Sequence, residues 1–369
     1  MIYLTQYKTV TSTAIMPLQD VKFPQRVLVI PEAFAHVETG LNYVPHKVAN
    51  AVLDPKLLAQ LKAQEVGKTA FILAGGNSHF AGTNQKPAHN KLSHSYRFPI
   101  LTITQIFAGR IAEQCGAQDY VVTDASACAS SLKVLMDVYT LIGFYGFARV
   151  VVLAVEDSVS NTVLDGLGDL KAVLTLKDEE QGLLPSAFDK QNRGFYVGQG
   201  AAFAVFDSWT TLNKTGDQPL AQLCGAYTAA EQTKNSVGQR EDGSGYIKAI
   251  EGAFHVCKAN RDDVKIVKTH GTGTISNNIS ELTALQSTLK SFVATSYKQR
   301  IGHTMGASGL LETLMLLEDM RSGVIPEIPN RTESDEVFLS DPISPPPGAV
   351  LSLAAGMGNV YSAAIFKPL

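Results

Sequence analysis

Apolar residues follow two rhythms along this chain, and the switch between them predicts its elements. Short stretches are almost unbroken in Val, Ile, Leu, Ala and Phe: Arg26-Val27-Leu28-Val29-Ile30, Ala70-Phe71-Ile72-Leu73-Ala74, Arg149 to Val155 and Ala201 to Phe206. Runs without polar alternation read as strands of a sheet covered on both faces, which places the chain in the α/β class. Asp263 to Lys268, Ala349 to Ala354 and Val360 to Phe366 read as further strands. Elsewhere the spacing is helical. Such segments are Pro55 to Val66, the series Leu132, Leu135, Met136, Tyr139 and Leu141-Ile142, Tyr246 to Ala259, and Leu310, Leu314 and Leu317, which stop near Gly323 with Pro326 beyond.

Residues 1 to about 95 are the least legible. Between Gly75 and Pro99 the chain is rich in Gly, Asn, His and Ser, and His79, His89 and His94 read as a solvated loop. After Asp207-Ser208-Trp209 the composition turns polar through Pro219, which divides the chain into halves at 1–207 and 208–369. Each half runs strand, turn rich in small residues, helix and strand. The sole low-complexity tract, Ser344 to Gly348, is a loop.

Composition narrows the function classes. The 369 residues carry a net charge of -3 and a pI near 6.2, so no nucleic-acid footprint is expected. The nearly apolar run Leu141 to Val155 contains Arg149 and is too short and polar to span a bilayer. The N-terminus lacks the pattern of a signal peptide, and a cytoplasmic location is expected. The four cysteines form no C-x-x-C pair and read as free thiols rather than a disulfide frame or metal site.

One of those thiols stands out. In Thr123-Asp-Ala-Ser-Ala-Cys-Ala-Ser-Ser-Leu132 a small-residue turn follows the apolar Tyr120-Val121-Val122 and precedes a helix, which puts Cys128 in the helix's first turn. A helix N-terminus stabilises a thiolate, and a cysteine so placed can titrate at roughly 3.5 to 7.5. The alternative is a small buried apolar residue. Two histidines also stand in tight turns. His270 lies in Thr269-His-Gly-Thr-Gly-Thr274, at the end of a strand, where open α/β sheets bind ligands. His303 lies in Ile301-Gly-His-Thr-Met-Gly-Ala-Ser-Gly309, which opens a helix. Widely separated loops argue against a Cys-His-His zinc site. A papain-like hydrolase would need a third group to orient its base, and neither histidine has an evident one nearby in sequence.

Four segments together carry a resemblance: Ser126 to Ser131, Phe188-Asp189-Lys190 to Gly200, His270 to Thr274, and Gly302 to Gly309. In this order they resemble the β-ketoacyl-acyl-carrier-protein synthases, the type II condensing enzymes, over roughly residues 100 to 366. The resemblance implies a thiolase-like five-layer αβαβα fold built from two similar halves. The first half, 1–207, would carry the nucleophile Cys128, and the second, 208–369, both active-site histidines. It implies decarboxylative Claisen condensation of an acyl-enzyme thioester with malonyl-acyl carrier protein, in a fatty-acid or polyketide or polyene pathway. His270 and His303 would donate hydrogen bonds to the malonyl thioester oxygen. Lys298 and Glu312 would support the site, and Thr272 and Thr274 would hold the phosphopantetheine arm. The backbone N–H groups of Cys128 and Met357 would form an oxyanion hole.

It further implies an acyl carrier protein partner, no metal, no cofactor beyond the carrier's phosphopantetheine, and a homodimer or a heterodimer with a related subunit. A rival reading is a weakly catalytic or non-catalytic subunit resembling a chain-length factor, a class that usually lacks the cysteine. The chain departs from the family pattern at Gln199, usually acidic, at Asn277-Asn278, usually Gly-Asp, and at Met357, usually a gating Phe.

Overall fold

The computed structural model describes residues 1–19, 21–30, 48–75, 104–233, 238–333 and 337–369. The segment carrying His79, His89 and His94 lies outside them. Twelve strands occur among the described residues: β1 Ile2–Thr11, β2 Ala14–Leu18, β3 Gln25–Val29, β4 Thr69–Ala74, β5 Tyr120–Asp124, β6 Arg149–Asp157, β7 Val197–Ser208, β8 Ala221–Ala230, β9 Val264–Lys268, β10 Val293–Thr295, β11 Ala349–Gly356 and β12 Val360–Pro368. The principal helices are α1 Pro55–Ala63, α2 Thr104–Cys115, α3 Ser130–Gly143, α4 Ser244–Cys257, α5 Ile275–Thr288 and α6 Ser308–Ser322.

Strand pairing is duplicated. In the order β5-β4-β6-β7-β1 the first two pairings are parallel and the next two antiparallel. The order β10-β9-β11-β12-β8 repeats that pattern step for step. A short antiparallel contact between β1 and β8, Ile2 to Leu4 against Ala221 to Leu223, joins the two sets.

Successive side chains of a strand point to opposite faces, so the unbroken apolar runs feed two cores at once. Ile72, Val152 and Ala204 face a central cluster shared with Ile266, Val350 and Ala364 of the second set. Leu132 and Leu135 of α3 and Leu310 and Leu314 of α6 fill that cluster, so both helices lie between the sheets. Phe71, Leu153 and Phe203 face the other way, onto α1 and α2. Val267, Leu351 and Ile365 likewise face outward onto α4 and α5. Helices, sheet, helices, sheet and helices give five layers. Gly309 lets the two central helices touch, because a Cβ there would come within 2.6 Å of Leu132 Cβ.

A buried ion pair lies within the first sheet. Arg149 and Asp207 are register partners on β6 and β7, and Arg149 Nε donates to Asp207 Oδ1 at 2.7 Å with side chains 1% and 0% exposed. Charges taken out of water need such mutual satisfaction, and here Thr5 Oγ1 also donates to Asp207 Oδ2 at 2.8 Å.

The duplication extends to the turns before the central helices. A one-turn 3₁₀ segment, Ala127–Ala129, leads into α3, and another, Met305–Ala307, leads into α6. Each begins with a non-glycine residue in the left-handed region, Ala127 at φ 49° and Met305 at φ 39°. Left-handed backbone costs an L-residue about 1–2 kcal/mol. Both turns therefore hold strain at the centre of the molecule, where the neighbouring layers fix them.

Candidate active site

The two strained turns abut. Cys128, second residue of the first, has its Sγ 3.8 Å from Met305 Sδ, first residue of the other. Cys128, Met305, His270 and His303 line one cavity of about 860 Å³. The imidazole centroids lie 5.6 Å apart with planes at 79°. Three side chains far apart in sequence thus converge on one space, because β9 delivers His270 at its end and the turn before α6 delivers His303.

The His303 ring is held by its surroundings. His303 Nδ1 lies 2.8 Å from Ser308 Oγ, and Phe195 meets the ring edge-on with centroids 4.8 Å apart. When the Ser308 hydroxyl donates to Nδ1, the ring carries its proton on Nε2. His270 is placed through its backbone: Glu281 accepts from the N–H of His270 at 2.5 Å and of Gly271 at 2.9 Å. Gly271, at φ 54°, allows the turn, and Asn277 Nδ2 completes the shell of Glu281 at 3.0 Å. Burial, followed by the nearby Lys298 charge, holds both imidazoles well below their ordinary range. They are neutral at pH 7 and suited to donate a hydrogen bond rather than carry charge.

Lys298 and Glu312 form a fully buried pair, Nζ to Oε1 2.7 Å, with both side chains 0% exposed. Sequence reasoning missed its third member, Lys268, whose Nζ lies 3.4 Å from Glu312 Oε2 and donates to Leu353 O at 2.7 Å. The signal was present: a lysine follows the apolar pair Ile266-Val267 at the end of a strand, two residues before His270. Burial pushes Lys268 down to about 8 against the pull of Glu312. Glu312→Gln would leave two buried ammonium groups without the carboxylate they share. A loss of about 3–5 kcal/mol in unfolding free energy is expected, read by urea denaturation.

The thiol overturns one expectation. Burial pushes Cys128 up to about 12, with the Lys298 charge opposing and Glu156 and Glu312 adding to the rise. The stabilisation expected from a helix N-terminus is outweighed by desolvation, Cys128 sharing one apolar cluster with Phe195, Val197 and Met305. Iodoacetamide labelling of Cys128, followed by peptide mass spectrometry, should therefore accelerate about tenfold per pH unit from 7 to 9. A rate already level at pH 7 would mean a depressed thiol.

The remaining residues singled out in the sequence fall around this core. Thr272 and Thr274 line the cavity with hydroxyls 3.0 Å apart. Met357 lines it too and is 41% exposed, while the preceding Gly356 packs so closely on the Cys128 turn that a Cβ would come within 2.6 Å of Ser126 O. Two of the departures from the family pattern, Gln199 and Asn277, are absorbed by hydrogen bonds. Gln199 Nε2 donates to Asp157 Oδ1 at 2.9 Å and its Oε1 accepts from the Ile30 N–H at 2.8 Å. Asn277 Oδ1 accepts from the Tyr246 hydroxyl at 2.7 Å. Among the described residues no group of three His, Cys, Asp or Glu could hold a metal ion, and no helix is long and apolar enough to cross a membrane.

Known proteins resemble the chain in sequence and in fold. The family model for the Beta-ketoacyl synthase N-terminal domain matches residues 39–210, and that for the C-terminal domain matches 220–332. The tetracenomycin polyketide synthase ketoacyl synthase alpha subunit of Streptomyces glaucescens is 26% identical over 69% of this chain. The 3-oxoacyl-[acyl-carrier-protein] synthase 2 of Vibrio harveyi is 26% identical over 64% of it. The matched stretches span 62% and 57% of those relatives' lengths. Among solved structures, a type II polyketide synthase acyl-carrier protein in complex with its ketosynthase matches with a TM-score of 0.83 at 16% identity, over 100% of this chain and 99% of that one. A beta-ketoacyl synthase from Burkholderia phymatum STM815 matches with a TM-score of 0.82 at 17% identity, over 100% and 99%. These likenesses show the thiolase-like fold, and the two family matches show that the chain belongs to the beta-ketoacyl synthases.

Proposed function

We propose that this chain is a β-ketoacyl-acyl-carrier-protein synthase, an acyltransferase that extends a Cys128-bound acyl group with malonyl-carrier protein. The observation that carries the reading is the convergence of Cys128, His270 and His303 on one cavity, with two neutral imidazoles side by side.

In the first half-reaction the Cys128 sulfur attacks an acyl-carrier thioester. A carbon–sulfur bond forms to the enzyme, the bond to the pantetheine sulfur breaks, and the thiol proton passes to that leaving sulfur. Because the resting thiol is protonated, a neutral imidazole lining the same cavity serves as the proton's bridge. The N–H groups of Cys128 and Met357 would hold the tetrahedral oxyanion. The second half-reaction begins when malonyl-carrier protein loses carbon dioxide. His270 and His303 donate to its thioester oxygen as enolate charge builds, and one well-aimed donor of this kind is worth about 2.7–4 kcal/mol. The enolate carbon attacks the acyl-cysteine, the thiolate leaves and takes up a proton, and a 3-oxoacyl-carrier thioester is released. Lys298 and Glu312 act by holding the field and packing around the histidines, and Thr272 and Thr274 by bonding the pantetheine arm.

The reading requires no cofactor besides that arm. An acyl carrier protein is the partner, the oligomer is a homodimer or a heterodimer with a related subunit, and the setting is a cytoplasmic type II fatty-acid or polyketide pathway. Incubation with an acyl-carrier thioester and malonyl-carrier protein should release carbon dioxide and yield the 3-oxoacyl-carrier product. Its absence in the presence of a related subunit that loads by itself would leave a role like that of a chain-length factor.

A further inference from the structure

The β2–β3 hairpin stands ahead of the residues that the family models match, which begin at 39, yet it builds a wall of the cavity. β3 pairs in parallel with the start of β7, Val27 and Leu28 against Val197 and Gly198. Val27 and Val29 pack in the same apolar cluster as Cys128 and Met305. Between the two hairpin strands, Phe23 lines the cavity together with Leu167 and Gly168. Its ring lies directly on the Gly168 backbone, since a Cβ on that glycine would come within 2.3 Å of the ring. The turn is tied down on both sides of Phe23. The Lys22 N–H donates to Asp165 at 2.7 Å and its Nζ to Asp169 at 2.6 Å. Pro24 O accepts from the Leu176 N–H at 2.8 Å, and Arg26 Nε donates to Glu179 at 2.7 Å.

A ring seated on Gly168, in a turn held at so many points, is a wall rather than a mobile flap. From this geometry we propose that Phe23 is a specificity-determining residue. It limits the width of the group the cavity admits, so that thioesters of unbranched aliphatic acids are taken in preference to branched or aryl ones. The preference for acyl thioesters rests on the reading of the cavity given above, whereas the width limit rests on the hairpin alone.

The test uses two alkylating agents of different girth at Cys128, iodoacetamide and iodoacetanilide, on the full chain. Peptide mass spectrometry follows the wild type, Phe23→Leu and Phe23→Ala. The anilide-to-amide rate ratio should rise about tenfold or more in Phe23→Ala and part of the way in Phe23→Leu, the order expected when a few carbons decide the fit. A ratio unchanged in Phe23→Ala overturns the proposal. Should circular dichroism find that variant unfolded, an unchanged ratio in Phe23→Leu overturns it equally. A parallel series compares N-acetylcysteamine thioesters of hexanoic and benzoic acid. If the alkylation ratio shifts while neither thioester loads the wild type, the wall stands and the acyl-site reading falls. If hexanoyl loads but neither series responds to Phe23, the reading stands and the wall falls.

Discussion

Cys128→Ala should abolish acyl loading outright: incubated with an acyl-carrier thioester, the variant keeps its original mass. The covalent route divides a hard condensation into two easier displacements, and no neighbouring group can replace the sulfur. Cys115 is buried among the outer helices, and Cys224 and Cys257 belong to the cluster on the far face of the second sheet. Decarboxylation of malonyl-carrier protein draws on the imidazoles, so it should persist in this variant. Loading by Cys128→Ala at anything near the wild-type rate would remove the nucleophile from the account.

His303→Ala should separate the two half-reactions in the opposite sense. Loading survives, while condensation falls by about 10²–10³, the loss typical of one oxyanion donor in a water-excluded site. The prediction is specific to Nε2, since Nδ1 is engaged with Ser308 and the ring face is fixed by Phe195. It also carries a pH signature. Because burial holds the imidazole well below its ordinary range, it remains an uncharged donor down to pH 6, and condensation in the wild type should not lose this contribution between pH 7 and 6. Full condensation by His303→Ala, measured as 3-oxoacyl product from preloaded enzyme, would show that the residue has another role.

What could be read from the sequence followed from local rules. Small residues before a helical pattern placed Cys128 and His303 in tight turns, and unbroken apolar runs located β4, β6, β7, β11 and β12. β1 escaped notice because it mixes buried Ile2 and Leu4 with exposed Lys8 and so shows neither rhythm cleanly. β8 and α5 were also passed over, and in α5 polar Asn277, Ser280 and Glu281 are buried where periodicity expects apolar residues. The thiol's titration departs from expectation because a helix N-terminus is visible in sequence, while the burial that outweighs it is not: Phe195, Val197 and Met305, which share its apolar cluster, are all distant in the chain. The same holds for Lys268 and Phe23. Each acquires its role from a partner that folding brings near.

The account depends on a sulfur that accepts acyl groups from a carrier. Intact-mass spectrometry of the wild-type protein after exposure to an acyl-carrier thioester, with proteolytic mapping of any adduct, addresses that most directly. The account predicts a gain of one acyl group located on the Cys128 peptide; a protein left unmodified, both alone and beside a related ketosynthase subunit, would contradict it.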